Sequence, residues 1–207
     1  LTEVFHYDEW NLSCYNREYR LKTPHDFAIW EYVLQHEEWW WDHKTFKRDM
    51  QRVAGRGAPQ LYFRRSPIQG LFIENMGFES TVFMMTDHPA VIERYVEVAT
   101  AADDALYQVL CNCPVEILNY GENIDHHMDS PTIWRQWLLP YYQKRVAQLH
   151  AAGKKTYIHV DGAMKRLIRP VRESPFVGIE ACTPIPQGDV TLEEIKDALG
   201  EKILLDG

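Results

Sequence analysis

The chain has 207 residues, of which 45% are hydrophobic and 25% charged, and its formal net charge at pH 7 is −8. These values indicate one globular domain with a sizeable core, and the acidic balance argues against nucleic acid as a partner, because phosphate binding needs a basic surface. The sequence has no apolar run of about 18 residues and no signal peptide, so we expect a cytoplasmic protein without membrane contact.

The N-terminal part of the chain predicts an extended segment followed by two helices. Residues 1–21 are rich in aromatic side chains and alternate in the manner of a strand or hairpin. A helix is expected after Thr23, because Pro24 suits the first helical position and Asp26 suits the positive end of a helix. A second helix is predicted over 42–54.

From Gln60 onward, short apolar runs alternate with longer helical patterns. The predicted strands cover 60–63, 115–118, 155–159, 176–181 and 202–205, and the predicted helices cover 87–110, 130–153, 163–173 and 191–200. This alternation is typical of βαβ units and a parallel sheet. Neither a G-x-G-x-x-G loop nor a P-loop follows a strand, which favours a (β/α)8 barrel over a doubly wound sheet. We expect one barrel domain over 1–207, with strands missing at one or both ends.

The active site of such a barrel lies where the strands end. Arg64 and Arg65 follow the first strand of the sheet, and their guanidinium groups suit the binding of substrate carboxylates. Tyr120 and Asn123 follow the next strand and are further candidates for substrate binding. The last strand is followed by Asp206, so every predicted strand leads into polar residues.

Two carboxylates come shortly after Tyr120, in the segment that follows the strand predicted over 115–118. Glu122 and Asp125 are candidates for general acid–base catalysis or substrate binding, and the alternative is that each caps the next helix or loop. His126 and His127 are adjacent, so both cannot point inward from a regular strand. We interpret this pair as part of a loop.

Four side chains on two neighbouring strands predict a metal site. His159 and Asp161 are two residues apart, as are Glu180 and Cys182, so each pair shares one face if its strand extends that far. Imidazole, carboxylate and thiolate groups together suit a divalent cation, with zinc the natural candidate. The alternative is that His159 and Asp161 brace the barrel rim while Cys182 is simply buried.

Several of these segments resemble the uroporphyrinogen decarboxylase superfamily. The resemblance lies in residues 130–141, 150–154 and 159–162, in 74–79 and 87–89, and in 178–200 with the strand that follows. It covers roughly Tyr15 to Gly207 and implies a (β/α)8 barrel, often dimeric. One branch of the superfamily decarboxylates the acetate arms of a tetrapyrrole without a cofactor. The other comprises cobalamin-dependent methyltransferases, whose zinc is bound by a His-x-Cys pair and a later Cys.

Within this resemblance, His159 matches the histidine of the zinc-binding pair, and Asp161 stands where the family has Cys. We favour metal-assisted methyl transfer involving a corrinoid carried by a partner protein. One alternative is cofactor-free decarboxylation of a tetrapyrrole, with Asp125 or Glu122 stabilising a cation and Arg64 or Arg65 holding carboxylates. A second alternative is a non-catalytic barrel that serves as a binding module.

Overall fold

The computed structural model describes residues 1–205, and Asp206 lies outside the described residues. The chain divides into two compact units. The first comprises Leu1–Glu38 and Ser66–Asp104, and the second comprises Trp39–Arg65 and Ala105–Gly207. Each unit is assembled from two separate stretches of the chain.

The elements follow one another in a largely alternating order. The strands are β1 (Val4–Asp8), β2 (Ser13–Glu18), β3 (Gln60–Phe63), β4 (Ile117–Ile124), β5 (Lys155–Val160), β6 (Gly178–Glu180) and β7 (Ile203–Leu205). The helices are α1 (Pro24–Gln35), α2 (His43–Val53), α3 (Pro67–Gly70), α4 (Phe78–Asp87), α5 (Pro89–Asn112), α6 (Pro131–Ile133), α7 (Leu139–Ala151), α8 (Ile168–Glu173) and α9 (Leu192–Leu199). Two π-helical turns, Leu71–Asn75 and Trp134–Leu138, follow α3 and α6.

The first unit contains an antiparallel hairpin and a group of helices. Strands β1 and β2 pair with each other in a two-stranded sheet. Helix α1 begins where the sequence predicts, and Asp26 Oδ2 accepts a hydrogen bond from the backbone N–H of Thr23 at 2.8 Å. Helix α4 has no counterpart among the predicted elements. It ends at Asp87, just before Pro89, the first residue of α5. The helix predicted over 87–110 corresponds to α5 alone.

The second unit is organised by a five-stranded parallel sheet with the order β3-β4-β5-β6-β7. The predicted parallel α/β arrangement is therefore confirmed. The spatial order of the strands follows their order in the chain without a reversal. A doubly wound sheet would reverse direction at a switch point, and the described strands contain none.

The two faces of this sheet differ in chemistry. One face carries apolar side chains that are fully buried on the central strands, among them Leu118, Ile158 and Ile179. Tyr120 belongs to the same face and packs edge to face against Tyr142 of α7, with ring centroids 5.8 Å apart. We call the opposite surface the polar face, defined by Tyr62, Asn119, Tyr157, His159 and Glu180, which the strand register brings together.

Several predicted boundaries are wrong near the strand ends. Strand β4 continues to Ile124 through an irregular register after Tyr120, and β6 is confined to Gly178–Glu180. The helix predicted over 163–173 begins only at Ile168, because the backbone N–H groups of Met164 and Lys165 are bound by Asp189 Oδ1 in a turn. Helix α9 has the predicted capping box, in which Thr191 and Glu194 bind each other's backbone N–H.

None of the helices in the part of the chain that the structure describes combines the length and the apolar character needed to cross a bilayer.

Gly178 is predicted to be essential for the pairing of β5, β6 and β7. A Cβ atom at this position would overlap the carbonyl oxygen of Ile203 and lie 2.8 Å from Cε1 of Tyr157. We expect Gly178→Ala to lower the free energy of unfolding by about 1–3 kcal/mol, measured by urea denaturation. The control is Gly57→Ala, where a Cβ meets nothing within 4 Å. Equal stability of the two variants would contradict the observed sheet packing.

Candidate active site

A buried carboxylate lies at the centre of the polar face. Glu180 is the last residue of β6 and is 4% exposed. Its Oε2 accepts hydrogen bonds from the Tyr62 hydroxyl at 2.8 Å, from Asn119 Nδ2 at 3.3 Å and from Nδ1 of His159. Residues of four different strands thus meet at one oxygen atom.

This convergence requires a strongly curved sheet. Tyr62 lies on β3 and Glu180 on β6, and three inter-strand spacings would separate those strands by about 14 Å in a flat sheet. Side chains stand roughly perpendicular to a sheet, so they do not close such a gap sideways. The 2.8 Å hydrogen bond therefore shows that the polar face is concave.

The surroundings of Glu180 keep its carboxyl group ionised. Burial, the largest single influence, raises the pKa of Glu180, but hydrogen bonds from His159, Tyr62 and Asn119 together outweigh it, so the net pKa is lowered. Burial and the neighbouring carboxylate raise the pKa of Tyr62 to about 12. At neutral pH the phenol is therefore a hydrogen-bond donor and Glu180 an acceptor.

His159 is oriented by this carboxylate. Because an ionised Glu180 can only accept, Nδ1 of His159 must carry the proton of their hydrogen bond. In the neutral imidazole this tautomer leaves Nε2 as an acceptor, and Nε2 has no hydrogen-bond partner among residues 1–205. The side chain is 20% exposed, so it remains accessible. An imidazole held in this way by a carboxylate is suited to general base catalysis.

Asn119 contributes a buried amide to the same face. Its Nδ2 lies 3.3 Å from Glu180 Oε2 and 3.5 Å from Gln60 Oε1. Both neighbours are acceptors, which fixes the orientation of the amide. Its Oδ1 is buried and accepts no hydrogen bond from the described residues.

The structure brings together only two of the four predicted metal ligands. His159 and Glu180 are hydrogen-bonded, but Asp161 lies beyond the end of β5 and is exposed. Cys182 follows Ala181, whose left-handed φ of 61° ends the alternation of the strand. Burial, with a smaller effect from Asp189, raises the pKa of Cys182 to about 11, so its thiol is protonated at neutral pH.

A catalytic zinc centre takes three ligands from the protein, and two of the predicted four, His159 and Glu180, are in direct contact. Within residues 1–205, no group of three or more His, Cys, Asp or Glu side chains is placed to hold a metal ion. Strands β5 and β6 end before Asp161 and Cys182, and the alternation of side chains within a strand does not fix the direction of a residue beyond its end.

Two of the predicted site residues on β4, Tyr120 and Glu122, are buried away from the polar face. Tyr120 is fully buried on the apolar face, where its hydroxyl accepts a hydrogen bond from Tyr107 at 2.9 Å. Glu122 is also fully buried, and its charge contributes to the raised pKa of Tyr120, of which burial is the main cause. Neither residue belongs to the polar face.

The predicted substrate-binding arginines and Asn123 are held by other contacts. Asn123 adopts a left-handed φ of 55°, and its Oδ1 accepts a hydrogen bond from Arg65 Nη2 at 2.9 Å. The guanidinium of Arg64 lies 4.9 Å from the centroid of the Trp39 ring, which is a cation–π contact. The structure thus joins the ends of β3 and β4 through Arg65 and Asn123.

Asp125 braces the loop that follows β5. Its carboxylate accepts hydrogen bonds from the backbone N–H of Ala163 at 3.0 Å and of His127 at 2.7 Å. Burial raises the pKa of Asp125, but the hydrogen bonds have the larger combined effect, so the net pKa is lowered and the carboxyl group is ionised at neutral pH. A Cβ at Gly162 would overlap this carboxylate, which explains the glycine. Asp125 thus binds backbone N–H groups of loops, which is the capping role that the sequence left as the alternative to catalysis.

Two residues of the site were not among the predicted candidates. Tyr62 lies within the strand predicted over 60–63, whereas Asn119 directly follows the strand predicted over 115–118 and lies within the longer β4. A polar side chain at every second position was the available signal, because Gln60 and Tyr62 alternate with Leu61 and Phe63. Alternation alone does not say which face is covered by helices.

Comparison of the chain with protein-family models finds no match, and comparison with curated proteins finds no significant match either. The resemblance to the uroporphyrinogen decarboxylase superfamily therefore rests on the sequence segments that carry it.

Tyr62→Phe is expected to destabilise the protein in a pH-dependent way. The lowered pKa of Glu180 means that its ionised form stabilises the fold at neutral pH, and this contribution is lost as the pH falls through the folded-state pKa, below 4.5. Removing the Tyr62 donor should cost about 1.5–3 kcal/mol at pH 7 and less below pH 4.5.

Chemical denaturation at a series of pH values measures this effect, and Tyr32→Phe provides the control. Tyr32 is 64% exposed, and its substitution should change stability little at any pH. A Tyr62→Phe cost that is the same at pH 7 and at pH 3 would show that the phenol does not stabilise the charge of Glu180.

Proposed function

We propose that the chain forms part of a (β/α)8 barrel of the uroporphyrinogen decarboxylase superfamily, with the polar face lining the barrel interior. The strand order supports this, because successive parallel strands added on one side, with crossovers of one hand, curl into a barrel. The hydrogen bond between Tyr62 and Glu180 supports it further, since it spans three inter-strand spacings of a concave surface, from β3 to β6.

We propose in addition that the site catalyses methyl transfer, with His159 as the general base. The observation that carries this proposal is the His159–Glu180 pair at the C-terminal ends of β5 and β6, where barrel enzymes have their active sites. The ionised Glu180 holds Nδ1–H and stabilises the imidazolium that forms when Nε2 takes up a proton.

The step assigned to His159 is deprotonation of the methyl acceptor. A thiol or hydroxyl group of the acceptor gives its proton to Nε2, and the electron pair left on sulfur or oxygen forms the new bond to carbon. A methylated corrinoid, carried by a partner protein, would be the co-substrate: its cobalt–carbon bond breaks as the new bond to carbon forms, and the electron pair of the broken bond leaves with the corrinoid. Activation of the acceptor is assigned to His159, because Glu180 holds its Nδ1–H and leaves Nε2 free to take up the proton.

The hydrogen-bonding character of the site favours this reaction over decarboxylation. The donors of Tyr62, Asn119 and His159 all point to Glu180 Oε2, so none of the three is left to hold a substrate carboxylate. A carboxylate substrate would also lie beside the ionised Glu180, and like charges at close range repel each other. A neutral thiol or hydroxyl group meets neither obstacle.

His159→Gln is expected to lower kcat for methyl transfer by about 10²–10⁴-fold. The glutamine amide can still donate a hydrogen bond to Glu180, but it cannot accept a proton at neutral pH. The measurement follows the absorbance of methylcobalamin with a thiol acceptor under anaerobic conditions. The control is His88→Gln, an exposed residue at the end of α4, which should retain full activity.

The same preparation separates the competing functions. Release of carbon dioxide from uroporphyrinogen, without methyl transfer, would replace the proposal by decarboxylation. A folded protein that is inactive in both assays would identify a binding module. Full methyl-transfer activity in His159→Gln would rule out His159 as the base.

A further inference from the structure

The polar face leaves a particular set of hydrogen-bonding atoms to a ligand. The three donors nearest its centre, the Tyr62 hydroxyl, Asn119 Nδ2 and His159 Nδ1–H, all bind one oxygen atom, Glu180 Oε2. The remaining polar atoms of Asn119, Glu180 and His159 are acceptors. They are Asn119 Oδ1, Glu180 Oε1 and His159 Nε2, and none of them accepts a hydrogen bond from residues 1–205.

Asn119 Oδ1 is the most informative of these acceptors. Asn119 is fully buried, and burial of a carbonyl oxygen without a hydrogen bond costs about 1–3 kcal/mol. The amide cannot avoid this by rotating, because Nδ2 faces the acceptors Glu180 Oε2 and Gln60 Oε1. A donor from a ligand would satisfy Oδ1.

The three acceptors lie close together. Asn119 Nδ2 and His159 Nδ1 are each within hydrogen-bonding distance of the same Glu180 oxygen, so the amide and the imidazole flank one carboxylate. Glu180 Oε1 belongs to that same carboxylate. His159 is the most exposed of the three residues, at 20% for its side chain, so a ligand would enter beside it and meet the more deeply buried Glu180 and Asn119 next.

We infer that this face binds a primary ammonium group against Asn119 and Glu180, and that the methyl acceptor is a short amino thiol or amino alcohol. An ammonium group has three donors and no acceptor, which complements the two oxygen atoms, and its charge complements the Glu180 carboxylate. The thiol or hydroxyl of the same molecule donates to His159 Nε2. The thiol or hydroxyl half of this inference rests on the proposed function, whereas the ammonium half depends only on the acceptors.

Three small thiols of matched length test the inference directly. Cysteamine carries an ammonium group, 2-mercaptoethanol a neutral hydroxyl and mercaptoacetate a carboxylate. Binding is measured at constant ionic strength and pH 7 from the NMR shifts of the Asn119 amide and the His159 ring. Cysteamine should bind about tenfold more tightly than 2-mercaptoethanol, since its hydrogen bonds are charge-assisted, and mercaptoacetate should bind most weakly. Equal or tighter binding of mercaptoacetate would overturn the inference.

Two variants assign any preference to the named residues. Glu180→Gln keeps the shape but removes the charge, so the tenfold preference for cysteamine should disappear. Asn119→Leu should weaken cysteamine binding as well, with circular dichroism and a thermal melt verifying that each variant is folded. The matched control is Glu116→Gln, an exposed residue just before β4, which should keep the preference. Retention of the preference in a folded Glu180→Gln variant would overturn the inference.

Methylammonium chloride distinguishes this inference from the proposed function, because it has an ammonium group and no methyl-accepting thiol or hydroxyl. Shifts of the Asn119 amide on its addition support the ammonium site even if methyl transfer fails. Absence of shifts at saturating concentration, in a protein that does transfer methyl groups to a thiol, would overturn the ammonium site and leave the proposed function intact.

Discussion

The second unit of the structure depends on the burial of one negative charge. An ionised carboxylate is costly to remove from water unless hydrogen bonds replace its hydration. Glu180 obtains these from Tyr62, Asn119 and His159, each on a different strand. The same three contacts therefore hold the sheet in its curved form and orient the imidazole, so structure and proposed chemistry share one set of interactions.

The difference in chemistry between the apolar face and the polar face of the sheet follows from the geometry of strands. Asn119 and Tyr120 are neighbours in sequence, yet the first faces the polar surface and the second packs among aromatic rings. Successive side chains in a strand point in opposite directions, so a shift of one residue exchanges their roles. The fully buried apolar face stabilises the fold, which leaves the concave face available for polar groups.

Polar residues beyond the strand ends serve mainly to hold loops. Asp125 binds the backbone N–H of Ala163, and Asp189 binds those of Met164 and Lys165, so two carboxylates from different loops brace the segment after β5. This segment directly follows the strand that carries His159. The loops thus support the position of the candidate base, while the groups assigned to chemistry lie on the strands themselves.

The sequence by itself determined the parallel α/β class, most strand and helix positions, the capping box at Thr191 and the candidacy of His159 and Glu180. These features depend on local periodicity, caps and the alternation within a strand. Only the tertiary structure decided that Tyr62 and Asn119 join them and that Asp161 and Cys182 do not. Those outcomes depend on where each strand ends and how strongly the sheet curves, and both are set by packing between segments distant in sequence.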